Sequence, residues 1–192
     1  MQRPVTALAA VLALSLGLAA CETATPYQPL SRASATAGGF SDHQLDADHF
    51  RVTFSGNSMT SRETVETYLL YRAAELTVSQ GADWFEMVDR HTERDRRTYV
   101  DPDPFYGRPG YAYGYWRPYW RFSARHGGGW RTWDPFWGDP FWADQMDVQT
   151  VERFEASAEI ALHHGAKPQD QPRAFDAREV MANLGPKIVR PK

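Results

Sequence analysis

The clearest pattern along the chain is an alternation near its C-terminal end. Val148, Phe154, Ala156, Ala158, Ile160 and Leu162 share even parity, while Gln149, Arg153, Glu155, Ser157, Glu159 and His163 are odd. Successive strand side chains point to opposite faces, so this period predicts a long strand with one buried and one wet face. Val151 and Glu152 break the parity, which puts the start of the regular part near Arg153, and Gly165 and Pro168 end it. On this reading Glu155 and Glu159 are solvated acids on the wet face.

A second alternation, Phe50-Arg51-Val52-Thr53-Phe54-Ser55, predicts another half-buried strand, and Gly56-Asn57 a turn after it. The period then changes from two to 3.6. Thr60 precedes Glu63 by three residues, a capping-box spacing that opens a helix running to about Ser79, with Gly81 past its end. Val65, Leu69, Ala73 and Leu76 share one face, flanked by Tyr68, and Leu70, Ala74 and Val78 lie opposite, so the helix is expected to be covered on more than one side. Arg72 falls inside the main apolar stripe. It either snorkels, its stem covering apolar surface, or forms a buried ion pair with a strand carboxylate such as Glu86. Trp84 to Arg90 gives a third strand. Asp176 and Glu179 repeat the capping spacing and open a short helix lined by Val180, Met181 and Leu184 and stopped by Gly185-Pro186. Strand, helix, strand, long insert, strand, helix predicts an α+β fold: a small, mainly antiparallel sheet covered by one long helix, with a short C-terminal helix.

The insert, residues 93–145, has no such periodicity. After a charged opening it becomes Gly, Pro, Tyr and Trp, and the unit Asp103-Pro104-Phe105-Tyr106-Gly107 recurs as Asp134-Pro135-Phe136-Trp137-Gly138 and Asp139-Pro140-Phe141-Trp142. It holds six of the seven tryptophans: Trp116, Trp120, Trp130, Trp133, Trp137 and Trp142. Long connections of this kind are functional or disordered. Three readings stay open. The insert is a low-complexity excursion folding back on the sheet and the outer side of the first helix. It is a binding surface whose flat aromatic rings, beside Asp and Arg, stack on sugar rings. Or it is an interfacial anchor, because Trp and Tyr favour the membrane–water boundary.

The N-terminal pattern is of another kind. Met1-Gln2-Arg3 carries one positive charge, Val5 to Leu18 is an uncharged, almost wholly apolar run, and Ala19-Ala20-Cys21 follows. A positive start, a short apolar core and small residues at a cut site make a secretory signal, and the run is shorter than the roughly 20 residues a spanning helix needs. Cys21 is the single cysteine of the chain and has no internal disulfide partner. Leu18-Ala19-Ala20-Cys21 resembles the lipobox of bacterial lipoproteins. That resemblance implies cleavage before Cys21, diacylglycerol on its thiol and an acyl chain such as palmitate on the new amino group. Two or more chains give stable anchoring where one does not. Glu22 is not the aspartate that marks inner-membrane retention in enteric bacteria, which points to the outer membrane, facing the periplasm. Residues 22–39, rich in Thr, Ala, Ser, Pro and Gly, read as a flexible tether with a reach of roughly 25 Å. The domain division is then a signal at 1–20, lipidated Cys21 and tether to 39, and one α+β domain over 40–192.

Charge narrows the partners. Residues 1–20 hold one Arg and no acid, so their removal turns 21 Lys+Arg against 24 Asp+Glu into 20 against 24, a net charge of −4. Without basic excess, nucleic acid is not expected as a partner. The membrane link is the lipid, and an envelope glycan or protein is the remaining partner class.

Catalytic patterns are absent. His43, His49, His91, His126, His163 and His164 include no pair at helical spacing, and the adjacent His163 and His164 point to opposite faces of a strand. HExxH, CxxC, GxSxG and the phosphate-binding glycine patterns do not occur. Ser55, Ser58 and Ser61 surround a turn and suit capping. The expectation is a non-enzymatic protein with no metal and no cofactor.

Several stretches resemble an uncharacterised family of small proteobacterial envelope lipoproteins. They are Ser58-Met59-Thr60-Ser61-Arg62-Glu63, Tyr68-Leu69-Leu70-Tyr71-Arg72-Ala73-Ala74-Glu75, Ala82-Asp83-Trp84-Phe85-Glu86-Met87-Val88, Phe154 to Leu162 and Phe175 to Pro191. The resemblance spans the lipobox and most of the folded part but not the insert. It implies an envelope lipoprotein with a structural or assembly role, and no catalytic residues.

Overall fold

The computed structural model describes residues 23–88, 116, 118–124, 129–133 and 151–191. The chain is a mixed α/β protein with an antiparallel sheet and two helices. In chain order its elements are β1 (Gly39–Gln44), β2 (His49–Ser55), α1 (Arg62–Ser79), β3 (Trp84–Val88), β4 (Tyr119–Ala124), β5 (Trp130–Trp133), β6 (Val151–His163), β7 (Ala174–Asp176) and α2 (Ala177–Leu184).

The strand read from alternation organises the sheet. β6 takes β2 along one edge, Ser55 opposite Glu155 through His49 opposite Ala161. Its other edge is shared. β3 pairs with Glu159–His163 and β4 with the lower part from Ser157. The order is therefore β1-β2-β6-β3-β7, with β4 and β5 branching from β6. Ala156, Ala158, Ile160 and Leu162 of β6 are in the core with Phe154 packed against it, and the alanines among them matter. Ala156 lies opposite both Phe54 and Trp120, so a small side chain sits between two large rings. α1 packs on β2, β6 and β3 and also touches α2. Its Val65, Leu69, Ala73 and Leu76 are buried, and so are Leu70 and Ala74, so the helix is covered over much of its circumference.

Local signals at the helix ends hold in type but shift in position. Ser61, not Thr60, caps α1: its Oγ accepts from the Thr64 N–H at 3.1 Å. Thr60 is drawn elsewhere, accepting from the Thr25 N–H at 2.8 Å and donating to Asn57 Oδ1 at 2.7 Å. Asp176 caps α2, accepting from the Glu179 N–H. Gly185-Pro186 ends the α-helix and carries one 3-10 turn, Gly185–Lys187. Gly81, at φ +80°, supplies the left-handed turn after α1.

Two expectations are corrected. The first is the tether. From Thr23 onward the segment is packed on the domain: Thr25, Tyr27 and Gln28 are buried. Tyr27 N–H donates to Val189 O, Leu30 N–H to Phe40 O and Asn57 Nδ2 to Thr23 O. Polar side chains that satisfy the buried backbone of a turn make a good docking sequence even without aliphatic bulk. Thr25, Tyr27 and Gln28 thus pack with the domain although they precede residue 40. The second is the element count. β1, β4, β5 and β7 were not expected, and two of them come from the insert.

Arg72 pairs with a strand carboxylate, but the strand is β1. It donates through Nε to both oxygens of Asp42 at 3.1 Å and through Nη1 to Glu75 at 2.5 Å, with its guanidinium over the Phe40 ring. Burial alone would lower the guanidinium, and the hydrogen bond and charge of Asp42, then the hydrogen bond to Glu75, raise it above its usual value. Tyr27 hydroxyl donates to the same Glu75, and burial and that carboxylate push the phenol up. The cluster joins β1, α1 and the N-terminal segment.

Glu66 on α1 gives the fold a pH dependence. Burial pushes its carboxyl up from 4.5 to about 7, Glu63 adding to the rise and Arg62 opposing it. A folded-state value above the unfolded one means that the fold favours the protonated acid. That contribution is fully present below pH 4.5 and is lost as pH climbs through about 7. Urea unfolding should therefore show the protein less stable at about pH 8 than at about pH 5, by about 1–3 kcal/mol. Glu66→Gln is expected to flatten the difference; an unchanged pH slope would remove Glu66 as its source.

Candidate functional site

The outer face of the sheet, away from α1, is where polar and aromatic side chains gather. Odd residues of β6 and β2 meet there in cross-strand rows. Arg51 pairs with Glu159 at 2.7 Å, Thr53 lies opposite Ser157, and Ser55 opposite Glu155. β4 extends the rows, with Tyr119 opposite Ser157 and Arg121 opposite Glu155. Ser55 Oγ donates to Glu155 Oε2 at 2.5 Å and Arg121 Nε to Glu155 Oε1. Glu155 is thus a buried, paired carboxylate and not the solvated acid its wet-face position suggested. A carboxylate neutralised by arginine and bonded to serine is a structural joint of β2, β6 and β4. The cluster holds no histidine to act as a base.

Tyr119 (39% exposed) and Trp130 (41% exposed) stand on this face. Trp130 lies opposite Ser123 of β4, which lies opposite Arg153 of β6. The Arg121 guanidinium sits 4.6 Å from the Trp130 ring centroid and that of Arg153 6.0 Å, so the indole is braced by cations while one side stays open.

The six tryptophans singled out from the sequence separate. Trp116 and Trp120 are each 2% exposed and belong to the hydrophobic core. Trp116 meets Phe85 and Phe175 edge-on. Burial leaves these two no face to offer a ligand, which corrects their place among binding residues. Trp130 is exposed. Trp133 lies opposite Trp120 in the backbone register of β4 and β5. Trp137 and Trp142 fall outside the described residues, as does Cys21. Sequence reasoning missed Tyr119. Its alternation with Trp120 in Tyr119-Trp120-Arg121-Phe122 was a signal, masked by the surrounding Gly and Pro.

A groove of about 390 Å³ runs beside the N-terminal segment, lined by Pro26, Thr64, Thr67, Tyr68, Lys187 and Val189. Its lining mixes hydroxyls with one cation, Lys187, and one acid, Glu63. Among the described residues no group of three His, Cys, Asp or Glu could hold a metal, and no helix is long and apolar enough to cross a membrane. At the other end of the sheet Trp84 stacks on His163, centroids 4.1 Å apart. Asp83, held low by the Gly165 N–H and then by Arg178, ties the neighbouring loops together.

Comparison with protein-family models, with curated proteins and with solved structures finds no match.

Proposed function

We propose that this chain is a lipid-anchored protein of the bacterial cell envelope whose role is structural or in assembly, without catalysis. The observation that carries the reading is the uncharged apolar run from Val5 to Leu18 ending in Leu18-Ala19-Ala20-Cys21, with Cys21 the single cysteine of the chain. The lipobox-like sequence closes at Cys21, and a few residues on, at Thr25 and Tyr27, the chain is already buried in the domain. On this reading the sheet is covered on its inner face by α1, and the insert supplies the aromatic part of its outer face. The lipid holds the protein at the outer membrane, facing the periplasm.

Intact mass and membrane fractionation of wild type beside Cys21→Ser test this. The expected outcome is lipid mass and membrane residence for the wild type, both lost in the variant. A wild type of unmodified mass in the soluble periplasmic fraction would remove the proposal.

A second reading, binding of an envelope glycan such as peptidoglycan, is favoured by one feature: Tyr119 and Trp130 are exposed on a face rich in hydroxyls. Flat rings beside Ser123, Thr132 and Ser157 suit sugar faces and hydroxyls. Co-sedimentation with peptidoglycan that Trp130→Ala weakens would support it, and no sedimentation would discard it.

A further inference from the structure

Resting on the lipid-anchor reading, we propose that the domain lies directly on the bilayer surface, with the end of the sheet that carries Asn57–Met59 and Trp130 against the lipid headgroups. The length of chain between the lipid and the fold carries this. Two residues of extended chain span at most about 7 Å, so the Cα of Thr23 stays within about 7 Å of the Cα of Cys21. Thr23 is not free to swing. Its carbonyl accepts from Asn57 Nδ2 at 2.6 Å, and Thr25, 1% exposed, is fixed by Thr60, Asn57 and Ala37. A lipid seated in the bilayer therefore draws the Asn57 turn down to the headgroups. With the anchoring chain buried this early, a reach of tens of ångströms is removed.

The register shows what else lies at that level. Asn57 is two residues beyond Ser55, which faces Glu155, and the Gly56 N–H donates to Phe154 O. Arg153, Ser123 and Trp130 form the next row in the same direction. Trp130 is therefore at the same end of the sheet as Asn57, about three strand spacings, or roughly 14 Å, to the side. Met59, at 59% exposure, projects from the same turn. A tryptophan with arginines beside it suits the boundary between acyl chains and phosphates. Leu45, in the β1–β2 turn, is an exposed apolar side chain at the opposite end. β2 separates the two ends by roughly 20 Å. An exposed apolar residue alone means little, and the short link from Cys21 is what distinguishes Met59 from Leu45.

The test uses the full lipidated chain with Met59→Cys or Leu45→Cys, labelled with a thiol-reactive fluorophore and reconstituted into phosphatidylethanolamine–phosphatidylglycerol vesicles. Part of the phospholipid carries bromine on its acyl chains as a quencher. Lipid on Cys21 blocks that thiol, so only the introduced cysteine labels. The expected result is severalfold stronger quenching at position 59 than at position 45, reduced by Trp130→Ala. Equal quenching at the two positions, or none at either, would overturn the docked pose. If Trp130→Ala leaves the contrast intact and instead abolishes peptidoglycan sedimentation, the indole belongs to a glycan site and drops out of the lipid face. Failure of the anchor reading is seen separately: the parent chain, without an introduced cysteine, would take the label at Cys21 and stay off the vesicles.

Discussion

Trp120→Ala will lower the stability of the protein by about 3–5 kcal/mol, the range for emptying a large aromatic site in a packed core. Trp120 is 2% exposed, sits opposite Ala156 in the β4–β6 pairing and belongs to the same core cluster as Phe85, Trp116 and Phe175. The small side chain of Ala156 lies opposite the indole in the register, so truncation at Trp120 would leave two small side chains facing each other. Trp130→Ala, on the open face, is expected to cost less than about 1 kcal/mol, through loss of the contact with Arg121. Denaturant unfolding of the two variants beside wild type measures the contrast. It also asks whether the insert belongs to the fold. Equal, small losses from both variants would mean that β4 is an ornament on β6 and that the core closes without it.

Gly38→Ala should detach the N-terminal segment and cost about 2–4 kcal/mol. Gly38 has φ +102°, a backbone conformation that residues with a Cβ rarely adopt. A Cβ there would lie 2.3 Å from the Ser55 carbonyl oxygen and 2.8 Å from Thr25 Oγ1. The first of these is backbone at the end of the β1–β2 pairing, where Ser55 lies opposite Gly39, so the added carbon cannot be accommodated by a side-chain rotation. The segment must lift instead, which breaks the Thr25, Thr60 and Asn57 hydrogen bonds and exposes Tyr27. Limited proteolysis reads this directly: cleavage between residues 23 and 37 should become fast while β2, α1 and β6 stay resistant. Unchanged resistance with unchanged stability would show that the docking of Thr25 and Tyr27 adds little. On the membrane-docked reading the same variant restores a long tether, so quenching at position 59 should fall toward that at position 45.

The amino-acid sequence alone determined the elements whose signals are local. The alternation from Phe154 to Leu162 specifies β6, because a strand buried on one face repeats every two residues whatever its neighbours are. The stripe of Val65, Leu69, Ala73 and Leu76 specifies α1, and Asp176 with Glu179 the start of α2, because those contacts lie within one or two turns. The signal-like N-terminus and Cys21 are local patterns too. Tertiary structure alone decided the rest. Arg72 finds Asp42, thirty residues away, and Arg121 finds Glu155, thirty-four away. Thr60 is taken from its expected capping role by Thr25, thirty-five residues earlier. Among the described tryptophans of the insert, Trp116 and Trp120 are core and Trp130 is surface, because tertiary position, not residue type, decides which ring is covered. Burial is a property of partners, and in a segment without periodicity those partners are far along the chain.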